Sequence, residues 1–401
     1  MKVTINIKEL QDVLSIAKGA IAKDSRKPVL QYVKLMAAKD KLTVGATNLD
    51  VAICYTVDDV VVHDVGNALV PAKGLMKALR NTTKDMKTVT IEADKDKCYI
   101  YAQDNGATLL SRDTPKHTVA MLPWDVAEYP DVLPDTEETS LSKLNKINFS
   151  MRSTILASML DKTLFAVVKG SFHYACTGVY WEISSKAVMM TTTDGHRLSH
   201  IKTKLTAEIE SERAVIIPSD VLQIVQKICK KTKQLVKIEV WQEGSLERIM
   251  FRWSNIVLTG ILLSGNFLKY KDVIPKGCQH KVVIDKRQLA QNIQLLIDNT
   301  SAEPEFIRDN FYCHITSFDW GEDRVVLSDA STIAHNKVTC PVEYESEGIP
   351  ARIRFASPFL LDILKVAEFD KLVFEWTDPE HPMLIHAGHE FVYVVILCGD
   401  E

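Results

Sequence analysis

The sequence predicts an α+β protein assembled by internal repetition, and three observations carry that prediction. Short β-like runs lead into amphipathic helices, strand-and-turn patterns follow the helices, and the series recurs at matching places in each third of the chain. The clearest series is "LVPAKGLMKALRN" (69–81), "IIPSDVLQIVQKI" (216–228) and "RFASPFLLDILKV" (354–366). Each is a β-like run, a small or proline-containing turn, and a helix with apolar residues at helical spacing. Leu75, Ala78 and Leu79 correspond to Leu222, Val225 and Gln226, and to Leu360, Ile363 and Leu364. Pro71 and Pro218 fall near a first helical turn, where a missing N–H costs little.

A meander is expected after each of these helices. The first is followed by "KTVTIEAD", "KCYIYAQD" and "ATLLSRD", with Asn105–Gly106 as a hairpin signal. The second is followed by "LVKIEVWQE", "RIMFRWS" and "IVLTGIL", and the third by "KLVFEWTD", "PMLIHAG" and "FVYVVIL". A second series of helices precedes them, at 7–21, 151–167 and 285–299. These lead into the strand pairs "KLTVGATNLDVAICYTV", "AVMMTTTDGHRLSHIKT" and "RVVLSDASTIAHNKVTC". The expectation is three domains, each made of two helix-plus-sheet units. The acidic, proline-containing segment at 124–143 and the proline-containing segment at 270–281 read as linkers, which sets the domains at 1–142, 143–278 and 279–401.

The totals agree. A chain of 401 residues is too long for one core at roughly 100–200 residues per domain. Its 46% apolar and 25% charged residues are those of an ordinary globular protein. Acidic residues outnumber basic ones, 52 to 48, which excludes a chain coated in positive charge and leaves room for a local basic face. Eight scattered cysteines with no CxxC spacing read as reduced, mostly buried thiols of a cytoplasmic protein. No run approaches the roughly 18 apolar residues of a membrane span, so no membrane association is expected.

One cluster invites a chemical reading: "TTTDGHRLSH" (191–200) sets Asp194, Gly195, His196 and Arg197 side by side after an apolar run. The sequence holds no GxSxG, HExxH, GxxxxGK[ST] or glycine-rich dinucleotide fingerprint, and its other histidines form no constellation. No catalytic residue, metal site or cofactor is therefore expected. A hydrolase using Asp194 and His196 is the enzymatic alternative, and a turn that presents a face to a partner is the favoured reading.

Three tandem two-helix domains with "TDGHRL" (193–198), "GNFLKYKDVIPK" (265–276) and "YVVIL" (393–397) resemble the bacterial sliding-clamp family, the β subunits of DNA polymerase III. The resemblance spans the chain in order. It implies three DNA-clamp domains, each with two helices on antiparallel sheets, and a head-to-tail homodimer closing into a six-domain ring around double-stranded DNA. It further implies a processivity factor that tethers a DNA polymerase subunit, and partners that include a clamp loader and other proteins with short clamp-binding peptides.

Carried over residue by residue, the peptide groove takes Cys176, Thr193, Gly195, His196, Arg197, Leu198, Leu268, Val273, Pro382, Val394, Val395, Ile396 and Leu397. Arg197 and His196 are expected on its rim. Cys176, Leu268 and Asp272 stand where the family commonly has leucine, proline and arginine, and the chain ends Cys398–Glu401 rather than in a tail with Met and Arg. A somewhat different client motif is expected on that account.

A ring around DNA needs a cationic inner face, contacting phosphates without sequence preference. The DNA-facing expectation is Lys23, Arg26, Lys27, Lys73, Lys77, Arg80, Lys84, Arg152, Tyr174, Lys227, Lys230, Lys231 and Lys233. Lys18, Lys162, Lys286, Arg287 and Lys365 are further helix cations of the same reading. The rival from another class is a non-enzymatic repeat scaffold that binds proteins only.

Overall fold

The computed structural model describes residues 1–24, 26–80, 86–94, 97–104, 117–120, 126–134, 144–168, 174–209, 211–299, 305–308, 311–329, 336–346 and 348–398. Among them the predicted series appears three times. The first third runs β1 (Lys2–Asn6), α1 (Ile7–Ala17), β2 (Tyr32–Ala38), β3 (Lys41–Thr47), β4 (Val51–Val57), β5 (Val60–Asp64), β6 (Gly66–Pro71), α2 (Ala72–Arg80), β7 (Met86–Ala93), β8 (Lys97–Asp104) and β9 (His117–Ala120). The second runs β10 (Leu144–Arg152), α3 (Ser153–Asp161), β11 (Gly178–Ile183), β12 (Ala187–Thr193), β13 (Arg197–Lys204), β14 (Arg213–Pro218), α4 (Ser219–Lys231), β15 (Leu235–Glu243), β16 (Leu246–Arg252) and β17 (Ile256–Ile261). The third runs β18 (His280–Asp285), α5 (Lys286–Asn299), β19 (Glu305–Arg308), β20 (Phe311–Cys313), β21 (Ile315–Trp320), β22 (Arg324–Asp329), β23 (Lys337–Tyr344), β24 (Ile353–Ala356), α6 (Ser357–Val366), β25 (Lys371–Trp376), β26 (Met383–Gly388) and β27 (Phe391–Val395).

All six expected helices form, and local chemistry sets their starts. The Asn6 side chain caps α1 by accepting from the Lys8 and Glu9 amides, Asp285 Oδ1 accepts from Gln288 N at 2.8 Å, and Pro358 sits in the first turn of α6. Pro71 and Pro218 instead end strands β6 and β14. Each lies on the last strand of its sheet, where no neighbour asks for the missing N–H. Strands β1, β2, β5, β9, β10, β11, β18, β19, β20 and β21 were not anticipated. The Asn105–Gly106 turn, the strand expected at 107–113, the acidic run 135–139 and residues 330–335 lie outside the described residues.

The pairing joins the two helix units of each third. The strand before each helix pairs with a strand of the other half of its third, although β1 and β18 are also flanked on their other side by the last strand of the stretch that follows their own helix, β5 and β23. Thus β6 pairs with β2, β14 with β11 and β24 with β21, while β1 pairs with β7, β10 with β15 and β18 with β25. Two neighbouring strands linked by one helix crossing must run parallel, and every ladder among the described residues is antiparallel, so the strand before the helix does not pair with the strand immediately after it.

The chain forms two compact units, Met1–Ala157 with Asp220–Leu262, and Ser158–Ser219 with Leu263–Glu401. They cut the middle third because ladders join strands far apart in sequence. In the first unit β17 pairs with β4 inside the sheet β10–β15–β16–β17–β4–β3–β2–β6, beside a second sheet β5–β1–β7–β8–β9. In the second, β13 pairs with β27 inside a twelve-stranded sheet. The cores are apolar and aromatic: Phe251, Leu10 and Leu35 in the first unit, and Trp181, Trp376, Tyr393, Phe318 and Phe355 in the second, are all essentially inaccessible.

Candidate functional site

The turn between β12 and β13 is built by side chains acting on their own backbone. Asp194 Oδ1 accepts from the amides of His196 (3.1 Å) and Arg197 (3.0 Å). The Thr193 hydroxyl donates to Arg197 O (2.6 Å) and accepts from Gly195 N (3.1 Å). Gly195 sits at φ +89°, where only glycine is unstrained. The Ile396 amide donates to His196 O at 3.0 Å, tying the turn to the chain just beyond β27.

Arg197 departs from the rim position expected of it. Its side chain is 9% exposed and fully engaged. Nε donates to Asp194 (2.9 Å), Nη1 to Asp362 of α6 (2.8 Å) and Nη2 to the Phe165 carbonyl (2.8 Å). The guanidinium also lies 4.5 Å from the Phe359 ring centre and 5.3 Å from that of Phe165. Burial pulls its pKa down, but Tyr393, Asp194 and Asp362 more than reverse this and keep it charged. The pleat explains the correction. Arg197 and Ser199 point to the helix side of the sheet, where the Ser199 hydroxyl meets Lys162 O, whereas Leu198 and His200 point the other way.

On that other face a small apolar site forms. Leu198 and Val394 are register partners, and with Leu384 and Tyr270 they make a buried cluster flanked by Tyr180, Phe267, Ile274 and Val392. The segment between β17 and β18 is strapped across it. Phe267 stacks on Tyr180 with ring centres 4.8 Å apart, and Tyr270 stacks on His200 at 5.2 Å. The Tyr270 hydroxyl donates to Glu182, which also takes Lys271 Nζ at 2.8 Å. The strap leaves Leu268 and Val273 about half exposed, at 48% and 47%.

The expected groove residues are thus only partly brought together. Thr193, Leu198 and Val394 share the strap-covered face, with Leu268 and Val273 on the strap and half-buried Ile396 at the turn. Pro382 adjoins the start of β26, whose Met383 pairs with Val395. Val395 lies on the helix side with Arg197, and Cys176 is buried in a turn whose carbonyl accepts from Val168 N. His196 is half-buried, its ring 6.0 Å from that of Phe359, and Leu397 is half-buried next to the chain end. Sequence reading missed Tyr180, Glu182, His200, Phe267, Tyr270 and Leu384. The aromatic pair at 267 and 270 was the available signal.

The cationic candidates fall mostly on solvent faces of the first unit. Lys73, Lys77 and Arg80 are exposed at successive turns of α2, opposite buried Leu75, Ala78 and Leu79. On α4, Lys227, Lys230 and Lys231 are exposed opposite Leu222, Val225 and Ile228, with Lys233 just beyond. Lys231 pairs with Asp12 of α1 at 2.5 Å, so α4 packs beside α1. Lys23, Arg26, Lys27 and Arg152 are exposed, as is Tyr174 in the second unit; Lys84 and His173 lie outside the described residues. Lys162 corrects the helix-cation reading: its side chain is 7% exposed, ion-paired with Glu368 and bonded to Ser158 Oγ at 2.9 Å. Lys286 likewise donates to the Ala367 carbonyl at 3.1 Å.

Chemistry at the Asp194–His196 pair is disfavoured by the same geometry, since the carboxylate is consumed by two amides and Arg197. Burial pushes the thiols of Cys98 and Cys229 up to about 12, far from a nucleophilic thiolate.

The family model described as DNA polymerase III beta subunit, N-terminal domain, matches residues 1–132, and that described as its central domain matches 150–269. The beta sliding clamp of Bacillus subtilis is 23% identical over 408 residues, spanning 99% of this chain and 98% of its own. The crystal structure of the Pseudomonas aeruginosa sliding clamp bound to griselimycin matches over 100% of both chains with a TM-score of 0.82 at 23% identity. The DNA polymerase III β subunit of Thermotoga maritima matches equally fully, with a TM-score of 0.81 at 21% identity. Such distant structures establish a shared fold, and the two consecutive family models together take in more than half of the sequence. The chain belongs to the bacterial DNA polymerase III β-subunit family, the β sliding clamps, which are processivity factors and not enzymes.

Proposed function

We propose that two copies of this chain close head to tail into a ring around duplex DNA, with repeats 1–142, 143–278 and 279–401 of each supplying six domains. The ring acts in the cytoplasm and holds a DNA polymerase subunit, a clamp loader and other clients through short peptides. The observation that carries the reading is the one-sided charge of α2 and α4. Their buried faces are wholly apolar, while their solvent faces present Lys73, Lys77, Arg80, Lys227, Lys230 and Lys231. Contacts of that kind go to phosphates, hold no register and permit sliding. Lys23, Arg26, Lys27, Arg152, Lys233 and Tyr174 extend the same role.

The peptide site is the apolar face at Leu198 and Val394, entered beside exposed Leu268 and Val273 and bordered by the Gly195–His196 turn and Ile396. An apolar anchor in such a site gives moderate, exchangeable binding. Arg197 serves it from beneath, by fixing the turn to α6.

Sedimentation tests the ring: a dimer of about 90 kDa, twice 45.1 kDa, is required. Charge reversal at Lys230, Lys231 and Lys233 is expected to abolish retention on closed circular DNA while leaving dimerisation intact. Unchanged retention would instead favour the protein-only scaffold.

A further inference from the structure

A second concavity, of about 550 Å³, opens on the same face of the same sheet. In the register of β11, β12 and β13, the row Thr193–Leu198 is followed by Tyr180–Thr191–His200, then Glu182–Met189–Lys202, then Ala187–Lys204. Side chains two apart share a face, so Lys202 and Lys204 stand about 13 and 20 Å along β13 from Leu198, on its side of the sheet. The cavity has an apolar floor of Ala187, Met189 and Leu205 and a rim of lysines. Lys186 is taken by Glu208 at 3.1 Å, whereas Lys202 and Lys204 are exposed and make no ion pair among the described residues. The strap crosses between this cavity and Leu198; it adds exposed Lys269, while its Lys271 is paired with Glu182.

We propose that this cavity receives the acidic flank of a client peptide whose apolar anchor sits at Leu198 and Val394, an inference that rests on the groove reading above. Three features select that occupant. Two uncompensated lysines over an apolar floor suit a glutamate or aspartate whose methylenes lie on Met189. The cavity lies on the same sheet face as the groove, on the far side of the strap, so a bound chain would cross over the strap to reach it. An extended peptide rises about 3.3–3.6 Å per residue, so acids four to six residues from the anchor reach Lys202 and Lys204. The site adds charge selection to a groove that by itself reads only apolar shape.

The test titrates labelled peptides into the full-length protein: an apolar core alone, the core with two acids four to six residues to its N- or C-terminal side, and the core with lysines there. One acidic peptide is expected to bind about three- to tenfold tighter than the core, with the gain fading as salt is raised. The Lys202→Ala/Lys204→Ala variant is expected to lose that gain and keep its affinity for the core. Equal binding of acidic and neutral peptides, or a gain that survives in the variant, overturns the proposal. So does a variant that keeps the peptide gain but loses retention on circular DNA, which would assign the lysines to phosphates. If the core fails to bind the unaltered protein, the groove reading falls and this inference with it, a result distinct from core binding without charge preference.

Discussion

The turn at residues 47–51 in the first unit and the turn at 193–197 in the second share one hydrogen-bonding scheme. Thr47 Oγ1 donates to Val51 O and accepts from Leu49 N, as Thr193 Oγ1 does with Arg197 O and Gly195 N. Asn48 Oδ1 accepts from the amides of Asp50 and Val51, as Asp194 Oδ1 does from His196 and Arg197. Even the left-handed residue is matched, Leu49 at φ +82° and Gly195 at φ +89°.

Their surroundings differ. In the first unit the segment after β9 seals the neighbourhood: the Tyr129 hydroxyl accepts from Thr47 N at 3.1 Å, and Leu133 lies so close over Gly45 that a Cβ there would come within 2.5 Å of it. In the second unit the corresponding strap covers His200 but leaves Leu268 and Val273 exposed beside Leu198. Only the second turn carries an arginine bonded to a helix and to a distant carbonyl. One backbone solution thus serves two surroundings: a junction closed over by Tyr129 and Leu133, and a braced junction under a strap that carries the exposed apolar side chains Leu268 and Val273.

The largest expected effect is at the brace. Arg197→Met leaves Asp194 and Asp362 without their buried partner and should cost about 3–5 kcal/mol, read from urea unfolding of the whole chain. A loss under about 1 kcal/mol would remove the contrast between the two turns. Next is the seal: Tyr129→Phe strands the Thr47 amide and should cost about 1–3 kcal/mol, with faster hydrogen exchange confined to that junction.

A pH effect follows for the strap. Burial lowers the pKa of His200 below its ordinary 6.5; Lys271 and Lys202 add to the shift, and Glu182 and Glu390 oppose it. The unfolded chain then binds the proton first, so stability is full above about 6.5 and falls as pH drops toward the native pKa. His200→Gln should flatten that slope in thermal unfolding monitored between pH 7 and pH 5, and an unchanged slope would place its origin elsewhere. The smallest effect is the turn exchange. Gly195→Leu should cost about 1–2 kcal/mol from φ alone, since nothing lies within 4 Å of its Cβ position. Leu49→Gly should be neutral or stabilising by under about 1 kcal/mol. Opposite signs would show that the two turns are not equivalent.

Much of this was legible in advance. Helical spacing gave α1 to α6, and alternation gave most meander strands, because both signals are local. Strand β2 was equally legible, with Val33, Leu35 and Ala37 buried in alternation, and was passed over among neighbouring apolar residues. The exchange of strands between helix units was not legible, since no local pattern names a strand's partner.

The order of elements, their threefold recurrence and the chemistry of the turn residues were determined by sequence alone, because propensity, capping and periodicity act over a few neighbours. Only the tertiary structure decided that Arg197 would be a buried brace, that Lys162 would vanish into a pair with Glu368, and that Leu268 would stay in solvent. Those outcomes depend on which face of a pleat meets which distant helix or strap, and burial then fixes whether the same side chain binds a partner or holds the fold.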